Sequence, residues 1–304
     1  MSGAFLKKVI AVFFLMAGVF LYSQTLQVTS PNGGETWLIG SAHDITWTSS
    51  GEVGNVRLEY SGDNGGNWTE IVASTENDGS YGWTTPGVSS TDYLVRISET
   101  DGDPVDVGDA VFRVCEGISG RVTDNSGNGI PDVGVVSGSM ELGVQGAGVS
   151  DANGYYAVAM PVGNWIVFFD TTSAGNYIRE IYNNQTLFEN ANLVTVSAGQ
   201  TTTGIDAQLV PGGIVTGRVP DISSARGIAN VNVNVDLTDI DLEPSDLTDA
   251  DGYYTIRGIP PGNFQLQFDC EPAGYYVTEW YNDKHLREDA QYLYVSVGQT
   301  LTGI

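Results

Sequence analysis

The stretch DANGYY at residues 151–156 returns as DADGYY at residues 249–254, and its surroundings return with it. The first copy reads SGRVTD (119–124), DANGYY, PVGNW (161–165), EIYN (180–183) and VSAGQTTTGI (196–205). The second copy reads TGRVPD (216–221), DADGYY, PPGNF (260–264), EWYN (279–282) and VSVGQTLTGI (295–304). Because the motifs keep their order and nearly their spacing, they predict two folding units of one architecture.

Inside the copies, apolar and polar residues alternate. Apolar residues occupy every second position from 231 to 237 and again from 264 to 268. A period of two places one face of a strand in a core and the other in water, which is typical of an antiparallel sheet. Gly, Asn, Asp and Pro separate the short runs, as tight turns require. The sequence therefore predicts an all-β protein made of tandem antiparallel β-sandwich domains.

The first 24 residues have the composition of a secretory signal peptide. Lys7 and Lys8 form a basic region, and residues 9–22 form an apolar stretch that is short for a membrane span. An uncleaved N-terminal anchor is the alternative. We predict that the segment is removed, that nothing is inserted in a membrane afterwards, and that the mature protein is extracellular or held at the cell surface.

The mature chain is strongly acidic. Without Lys7 and Lys8, 10 basic residues face 37 acidic ones, so the formal charge changes from −25 to −27. Such a field repels phosphate backbones and anionic lipid surfaces. Nucleic acid and acidic membranes are therefore excluded as partners, and an extracellular glycan or protein surface is the predicted partner.

Three domains are expected after the signal peptide, at residues 26–114, 117–210 and 213–304. The joints between them are short, which predicts a semi-rigid array. After its TGI motif the first copy continues with DAQL at 206–209, whereas the second stops at Ile304. We expect residues 203–209 to form a final strand that the second copy lacks, which would leave an exposed edge or an underfilled core. The chain is accordingly expected to be a fragment of a longer protein.

The repeat motifs resemble the carboxypeptidase regulatory-like domain, a transthyretin-like sandwich of the starch-binding-like superfamily. The resemblance covers the chain from residue 117 onward and implies stalks, spacers or accessory modules, with carbohydrate binders among the wider relatives. The first domain carries PNGGETW (31–37), ITWTSSG (45–51) and VRLEYSGDNGGNW (56–68). These motifs are similar to the immunoglobulin-like domain of yeast cell-wall, Ser/Thr-rich anchored proteins.

One group of aromatic residues has the composition of a sugar-binding surface. Such surfaces stack a pyranose ring on an exposed aromatic side chain, with carboxylate and amide groups beside it. The candidates are Glu279, Trp280, Tyr281 and Asn282, together with Tyr182 from the first copy. The alternative is that these rings pack at the end of each sandwich, which is the commoner use of an aromatic cluster.

Calcium is the one cofactor that the sequence raises. Asp249 and Asp251 resemble the opening of a calcium loop, but the twelfth position, where an EF-hand needs an acid, is Pro260. The carboxypeptidase regulatory-like domain is close to the collagen-adhesin B-type repeats, and calcium binding among these relatives implies a partial surface site near Asp124, Asp249 or Asp251. A plain tight turn is the alternative.

Nothing in the sequence singles out a catalytic group. The two histidines, His43 and His285, lie in different predicted domains, so a nucleophile–histidine pair within one domain is not expected. We therefore predict a secreted or surface-displayed, non-catalytic modular protein for structural display or adhesion. The alternative is an array of carbohydrate-binding modules that serves an enzyme encoded beyond Ile304.

Overall fold

The computed structural model describes residues 23–237, 240–241, 243–274 and 276–304. The predicted signal peptide lies outside the described residues except for its last two positions. The described residues form strands and turns, with three short 3-10 helices at Phe188–Asn190, Glu271–Ala273 and Arg287–Asp289. None of their helices is long and apolar enough to cross a bilayer. The all-β prediction is confirmed.

The N-terminal unit, residues 25–115, contains nine strands. They are β1 (Thr25–Ser30), β2 (Thr36–Leu38), β3 (Ala42–Ser50), β4 (Val56–Ser61), β5 (Thr69–Thr75), β6 (Ser80–Thr84), β7 (Ser90–Glu99), β8 (Val105–Val107) and β9 (Phe112–Cys115). One sheet has the order β1-β3-β6 and the other β2-β9-β7-β4-β5, with β8 beside β7. Trp37, Trp47, Tyr93 and Phe112 fill the core between the sheets.

The first repeat, residues 117–210, also contains nine strands. They are β10 (Gly117–Thr123), β11 (Gly134–Ser139), β12 (Gly143–Val149), β13 (Tyr155–Ala159), β14 (Gly163–Asp170), β15 (Glu180–Ile181), β16 (Val194–Val196), β17 (Thr201–Thr202) and β18 (Ala207–Gln208). One sheet has the order β13-β10-β17, with β18 also pairing β10. The other has the order β12-β11-β14-β15, with β16 pairing β14.

The second repeat, residues 213–304, contains eight strands among its described residues. They are β19 (Gly213–Arg218), β20 (Asn232–Asp236), β21 (Ser245–Leu247), β22 (Tyr253–Ile259), β23 (Gly262–Asp269), β24 (Glu279–Trp280), β25 (Leu293–Val295) and β26 (Thr300–Thr302). Its sheets have the orders β22-β19-β26 and β21-β20-β23-β24, with β25 pairing β23. Strand for strand, this is the topology of the first repeat without β18.

The GRV and DxxGYY motifs keep their spacing in both repeats because the same contacts join them. Arg121 donates from Nε to the Asn153 carbonyl at 2.9 Å, and its guanidinium lies 5.1 Å from the ring centre of Tyr155. Arg218 makes the same two contacts, with the Asp251 carbonyl and with Tyr253. Each GRV arginine thus joins the first strand of its repeat to the DxxGYY turn.

Not all neighbouring strands are antiparallel. In each repeat the first strand pairs in parallel with the last ones, β10 with β17 and β18, and β19 with β26. In the N-terminal unit β2 pairs in parallel with β9. Of the residues 203–209 expected to form one final strand, only Ala207–Gln208 do so, because β17 ends at Thr202 and the chain turns at Gly204, where φ is +75°. Other described pairings are antiparallel.

Candidate functional site

The EWYN motif forms one arm of a tight hairpin. Glu279 and Trp280 pair with β23, and the Tyr281 N–H donates to the Leu266 carbonyl at 2.9 Å. The chain then turns through Asn282 and Asp283, whose φ angles are +66° and +55°. Asparagine and aspartate tolerate this left-handed region better than other residues with a side chain, so they suit the tight turn between the paired residues Trp280 and Lys284.

The first repeat builds the same hairpin from EIYN. Ile181 and Gln185 exchange backbone hydrogen bonds of 2.9 and 3.0 Å across it, and Asn183 and Asn184 have φ angles of +66° and +58°. The repeated asparagine of the motif is therefore explained by turn geometry in both copies.

The tyrosines of the EWYN and EIYN motifs are partly buried and pack against the cores of their repeats. Tyr281 is half-buried against the core of the second repeat, and Tyr182 occupies the same place in the first. Trp280 is also half-buried, although Ile181 at its position in the first repeat is fully buried. Asn282 is exposed. Neither tyrosine lies flat and open in the way that a sugar-stacking platform requires.

Three of the predicted sugar-binding residues meet at a cleft. Glu279, Tyr281 and Asn282 line a cleft of about 500 Å³ in the second repeat, and Trp280 is not among its lining residues. Tyr182 belongs to the other repeat. The end of β19, the loop after it and Ile304 also line this cleft.

The mouth of the cleft is acidic. The Tyr276 hydroxyl donates to Asp221 Oδ2 at 3.0 Å, and Asp221 Oδ1 accepts from the Ser223 hydroxyl at 2.6 Å. These hydrogen bonds, that of Ser223 first, hold the pKa of Asp221 well below its usual range. Glu279 differs, because partial burial raises the pKa of its carboxyl.

The predicted calcium ligands are engaged in turns. Asp249 Oδ1 accepts from the N–H groups of Asp251 and Tyr253, both at 2.9 Å. Asp124 accepts from the Asn128 side chain and from the N–H groups of Ser126 and Asn128, and these bonds lower its pKa, the side-chain bond most. Across the described part of the chain, no three His, Cys, Asp or Glu side chains gather as metal ligands would. The geometry matches the tight-turn alternative.

The histidines occupy unrelated surroundings. His43 stacks on Trp37 with ring centres 4.1 Å apart, and burial lowers its pKa. His285 is exposed in the second repeat.

Part of the cleft lining was not predicted from the sequence. Arg218, Asp221, Tyr276 and Val277 all line the cleft, yet none was a predicted site residue. The available signal was the alignment of Tyr276 and Val277 with Tyr177 and Ile178, because the Ile178 N–H donates to the Val210 carbonyl at 2.9 Å, directly after the DAQL segment. In contrast, the faces of the YY pairs are as expected: Tyr156 and Tyr254 are buried, whereas Tyr155 and Tyr253 are more than half exposed.

A comparison with family models identifies one repeat directly. Residues 214–300 match the carboxypeptidase regulatory-like domain. This range is the second repeat, and the first repeat shares its strand order and register. The match does not extend to residues 26–114, for which the resemblance to the yeast cell-wall type remains a prediction. A comparison with curated proteins finds no match.

Comparison with solved structures finds bacterial surface proteins at low similarity. The TIE protein of Bacillus anthracis has a TM-score of 0.27 and 9% identity, over 92% of this chain and 57% of that one. A streptococcal ancillary pilin has a TM-score of 0.30 and 11% identity, over 92% of this chain and 98% of the pilin. The major pilin subunit of Bacillus cereus has a TM-score of 0.21 and 9% identity, over 92% and 98%. This chain spans just over half of the TIE protein, and similarity at this level does not establish a shared role.

Proposed function

We propose that this chain is a non-catalytic, secreted or surface-displayed array of β-sandwich domains that serves as a spacer for display or adhesion. The observation that carries the proposal is the parallel pairing of the first and last strands of each repeat. Parallel neighbours start at the same end of a sheet and finish at the same end. The chain therefore enters a repeat at one end and leaves it at the other, as domains threaded in a line require.

The joint between the repeats supports this role. Asn176, in a loop of the first repeat, donates from Nδ2 to the Gly212 carbonyl and accepts at Oδ1 from the Gly258 N–H at 2.8 Å. The Gly212 N–H donates to the Asn176 carbonyl at 3.0 Å. One side chain thus links the first repeat, the linker and the second repeat, so the joint resists bending.

The joint between the N-terminal unit and the first repeat is similar. Glu116 is the single residue between β9 and β10, and its Oε1 accepts from the Gly199 N–H at 3.0 Å. The Thr201 hydroxyl donates to the Ile39 carbonyl at 2.7 Å. Both joints are short and hydrogen-bonded, unlike the long polar segments of flexible linkers.

Small-angle X-ray scattering tests the spacer directly. The mature chain should show one well-defined maximum dimension, and Asn176→Ala should broaden the distance distribution toward shorter values. Asn190→Ala, at an exposed position of a 3-10 helix, is the matched control and should leave the distribution unchanged. A wild-type chain that already scatters as freely jointed units would refute the spacer role.

Export is tested separately by fractionation of cells that make the full chain with a C-terminal epitope tag. The tag should appear outside the cell or on its surface, and removal of residues 1–24 should retain it inside. A tag that stays inside with the segment present contradicts the proposed localisation.

Carbohydrate binding is the second candidate, and it is favoured by the meeting of Glu279 and Asn282 at one cleft. In this proposal the array attaches an enzyme or a cell to a polysaccharide. Glu279→Gln and Asn282→Ala should then abolish retention on a polysaccharide column while the chain stays folded. A glycan array that shows no binding by the wild-type chain would exclude this candidate and leave the spacer role intact.

A further inference from the structure

A cavity of about 390 Å³ lies where the N-terminal unit meets the first repeat. Ser41, His43 and Arg113 line it from the N-terminal unit, and Ala147, Ala157 and Ala159 line it from the first repeat. The hydrogen bond from the Thr201 hydroxyl to the Ile39 carbonyl crosses the same joint. Because its two walls come from different domains, neither domain forms this cavity alone.

The wall from the first repeat is low, because alanine occupies it. Ala157 and Ala159 follow Tyr155 at alternate positions of β13, so the three side chains share the outer face of the sheet. The second repeat has Thr255 and Arg257 at the positions of the two alanines. An arginine in place of Ala159 would fill the cavity, so this space depends on a difference between the two repeats.

Arg113 places a positive charge at the cavity. It is exposed, and among the described residues it forms no ion pair, whereas four other arginines do. The pKa of Glu116 is lowered mainly by the Gly199 N–H and to a lesser extent by the charge of Arg113, which lies beyond ion-pair distance. A guanidinium binds a carboxylate through two parallel hydrogen bonds. Arg113 is therefore available to a carboxylate of a ligand.

Ser41 and His43 form a fixed polar wall. The Ser41 hydroxyl donates its one proton to the Leu38 carbonyl at 2.5 Å, so its oxygen accepts from His43 Nε2 at 2.7 Å. The His43 ring also stacks on Trp37, which holds it in one orientation. Burial lowers the pKa of His43 and leaves the ring neutral at neutral pH. This wall offers hydrogen bonds to hydroxyl groups, and Arg113 alone supplies charge.

Tyr155 extends the site along β13. Its ring is more than half exposed, and the Arg121 guanidinium lies 5.1 Å from the ring centre. At about 3.3 Å per residue, Tyr155 lies about 13 Å from Ala159 along the strand. An exposed aromatic ring can stack on the apolar face of a sugar. An aromatic platform and a cavity with a positive charge thus share one face of the first repeat.

We propose that the cavity and Tyr155 form a groove for a short oligosaccharide that carries one uronic acid. The uronate carboxylate binds Arg113, its ring hydroxyl groups meet the polar wall, and the next sugar stacks on Tyr155. The chain as a whole is acidic and repels long polyanions, so the groove takes one carboxylate rather than a charged polymer. This site is separate from the cleft at Glu279, and it does not depend on the spacer role.

Calorimetric titration of the mature chain tests this site. The probes are cellobiouronate and maltobiouronate, in each of which glucuronate is joined to glucose. Cellobiose and maltose are the matched neutral controls, because they have an alcohol in place of the carboxylate. We expect one disaccharide per chain, and one uronate should bind at least about tenfold more tightly than its neutral control, the value of a hydrogen bond to a charged group.

Matched variants locate the binding. Arg113→Gln should weaken uronate binding at least about tenfold, whereas Arg179→Gln should leave it unchanged, since Arg179 is ion-paired with Asp170. Tyr155→Ala should weaken binding of every sugar that binds, whereas Tyr253→Ala, at an equally exposed ring, should not. An unchanged melting temperature shows that each variant remains folded.

Two further substitutions keep the test decisive. Ala159→Arg introduces the residue of the second repeat and should abolish binding, whereas Ala159→Ser should retain it. Glu279→Gln should leave uronate binding unchanged, which distinguishes this site from the cleft of the second repeat.

Several results would overturn the proposal. They are no binding of either uronate at about 1 mM, the weak limit of specific recognition, equal binding of the uronates and the neutral sugars, or full binding by the Arg113→Gln or Ala159→Arg chain. Capped triglutamate that binds as tightly as the uronates would identify a site for acidic peptides instead. None of these outcomes bears on the spacer role, which depends on the joints.

Discussion

The two repeats share their motifs and strand order, yet they differ at one edge. In the first repeat the core is closed by Leu209, which is fully buried, and Phe169 beside it is fully buried too. In the second repeat Phe268, the counterpart of Phe169, is 9% exposed and borders the open cleft. Leu209 lies after the last shared motif, so closure of the core of the first repeat depends on a residue that the motifs do not include.

The largest expected effect is the loss of that closing side chain. Leu209→Ala should destabilise the first repeat by about 2–5 kcal/mol, because it removes buried methyl groups and leaves a cavity. Hydrogen exchange across residues 117–210 in denaturant measures the change. Leu193→Ala is the matched control, since Leu193 is 60% exposed. Equal, small effects of both substitutions would show that the edge strand does not close the core.

The reverse experiment adds the counterpart of residues 206–210 to the second repeat. Adding Asp-Ala-Gln-Leu-Val after Ile304 should raise its free energy of unfolding by about 1–3 kcal/mol, the value of burying one leucine side chain. The measurement is hydrogen exchange across residues 213–304 in denaturant. Adding Asp-Ala-Gln-Asp-Val should give little or no gain. If the leucine-containing extension leaves stability unchanged, the proposed strand does not occupy the cleft.

Each repeat contains a tyrosine whose hydroxyl donates one hydrogen bond to the isoleucine of its TGI motif, so the contributions of the two bonds to stability can be compared. The Tyr156 hydroxyl donates to the Ile205 carbonyl inside the core, and the Tyr254 hydroxyl donates to Ile304 at 2.8 Å in a partly open site. Tyr156→Phe should cost about 1–2 kcal/mol, since it leaves a buried carbonyl without its partner, and Tyr254→Phe should cost less. Chemical denaturation of both variants measures the difference, and a larger cost for Tyr254→Phe would contradict it.

The smallest expected effect is the pH dependence of the free energy of unfolding. Burial raises the pKa of Glu180 from 4.5 to about 7 and raises that of Glu279 by desolvation as well. Between pH 4.5 and about 7 the folded first repeat keeps a proton that the unfolded chain releases, so its stability falls as pH rises through this window.

The free energy of unfolding of the wild-type first repeat should be lower at pH 8 than at pH 4 by up to about 1 kcal/mol, after allowance for partial solvent screening. Glu180→Gln should remove this difference, because glutamine does not ionise. Glu279→Gln should act in the same direction. Denaturation at both pH values checks this, and a Glu180→Gln chain with the wild-type pH dependence would show that the carboxyl ionises freely in the folded state.

The amino-acid sequence predicted the strands better than it predicted the candidate site. Alternation predicts which side of a strand is buried, because the side chains of a strand point to opposite faces in turn, and Tyr155 and Tyr156 lie as that rule requires. The parallel pairing of first and last strands was not predicted, since alternation carries no information about strand direction. For the same reason the antiparallel description applies to most pairs rather than to all of them.

The candidate site shows why composition alone misleads. Glu279, Trp280, Tyr281 and Asn282 have the composition of a sugar site, but Asn282 is used for a left-handed turn and Tyr281 for packing. A residue type that suits binding can equally suit a turn or a core, and only its neighbours in space distinguish these uses.

The amino-acid sequence by itself determined the all-β class and the repetition of one architecture. Those properties follow from local pattern: the period of two, the turn residues and the order of the motifs. Tertiary structure alone decided that the last strand runs parallel to the first, that Asn176 ties the joint, and that Val219 and Val277 line one cleft. Each of these depends on contacts between residues far apart in the chain, which local pattern does not encode.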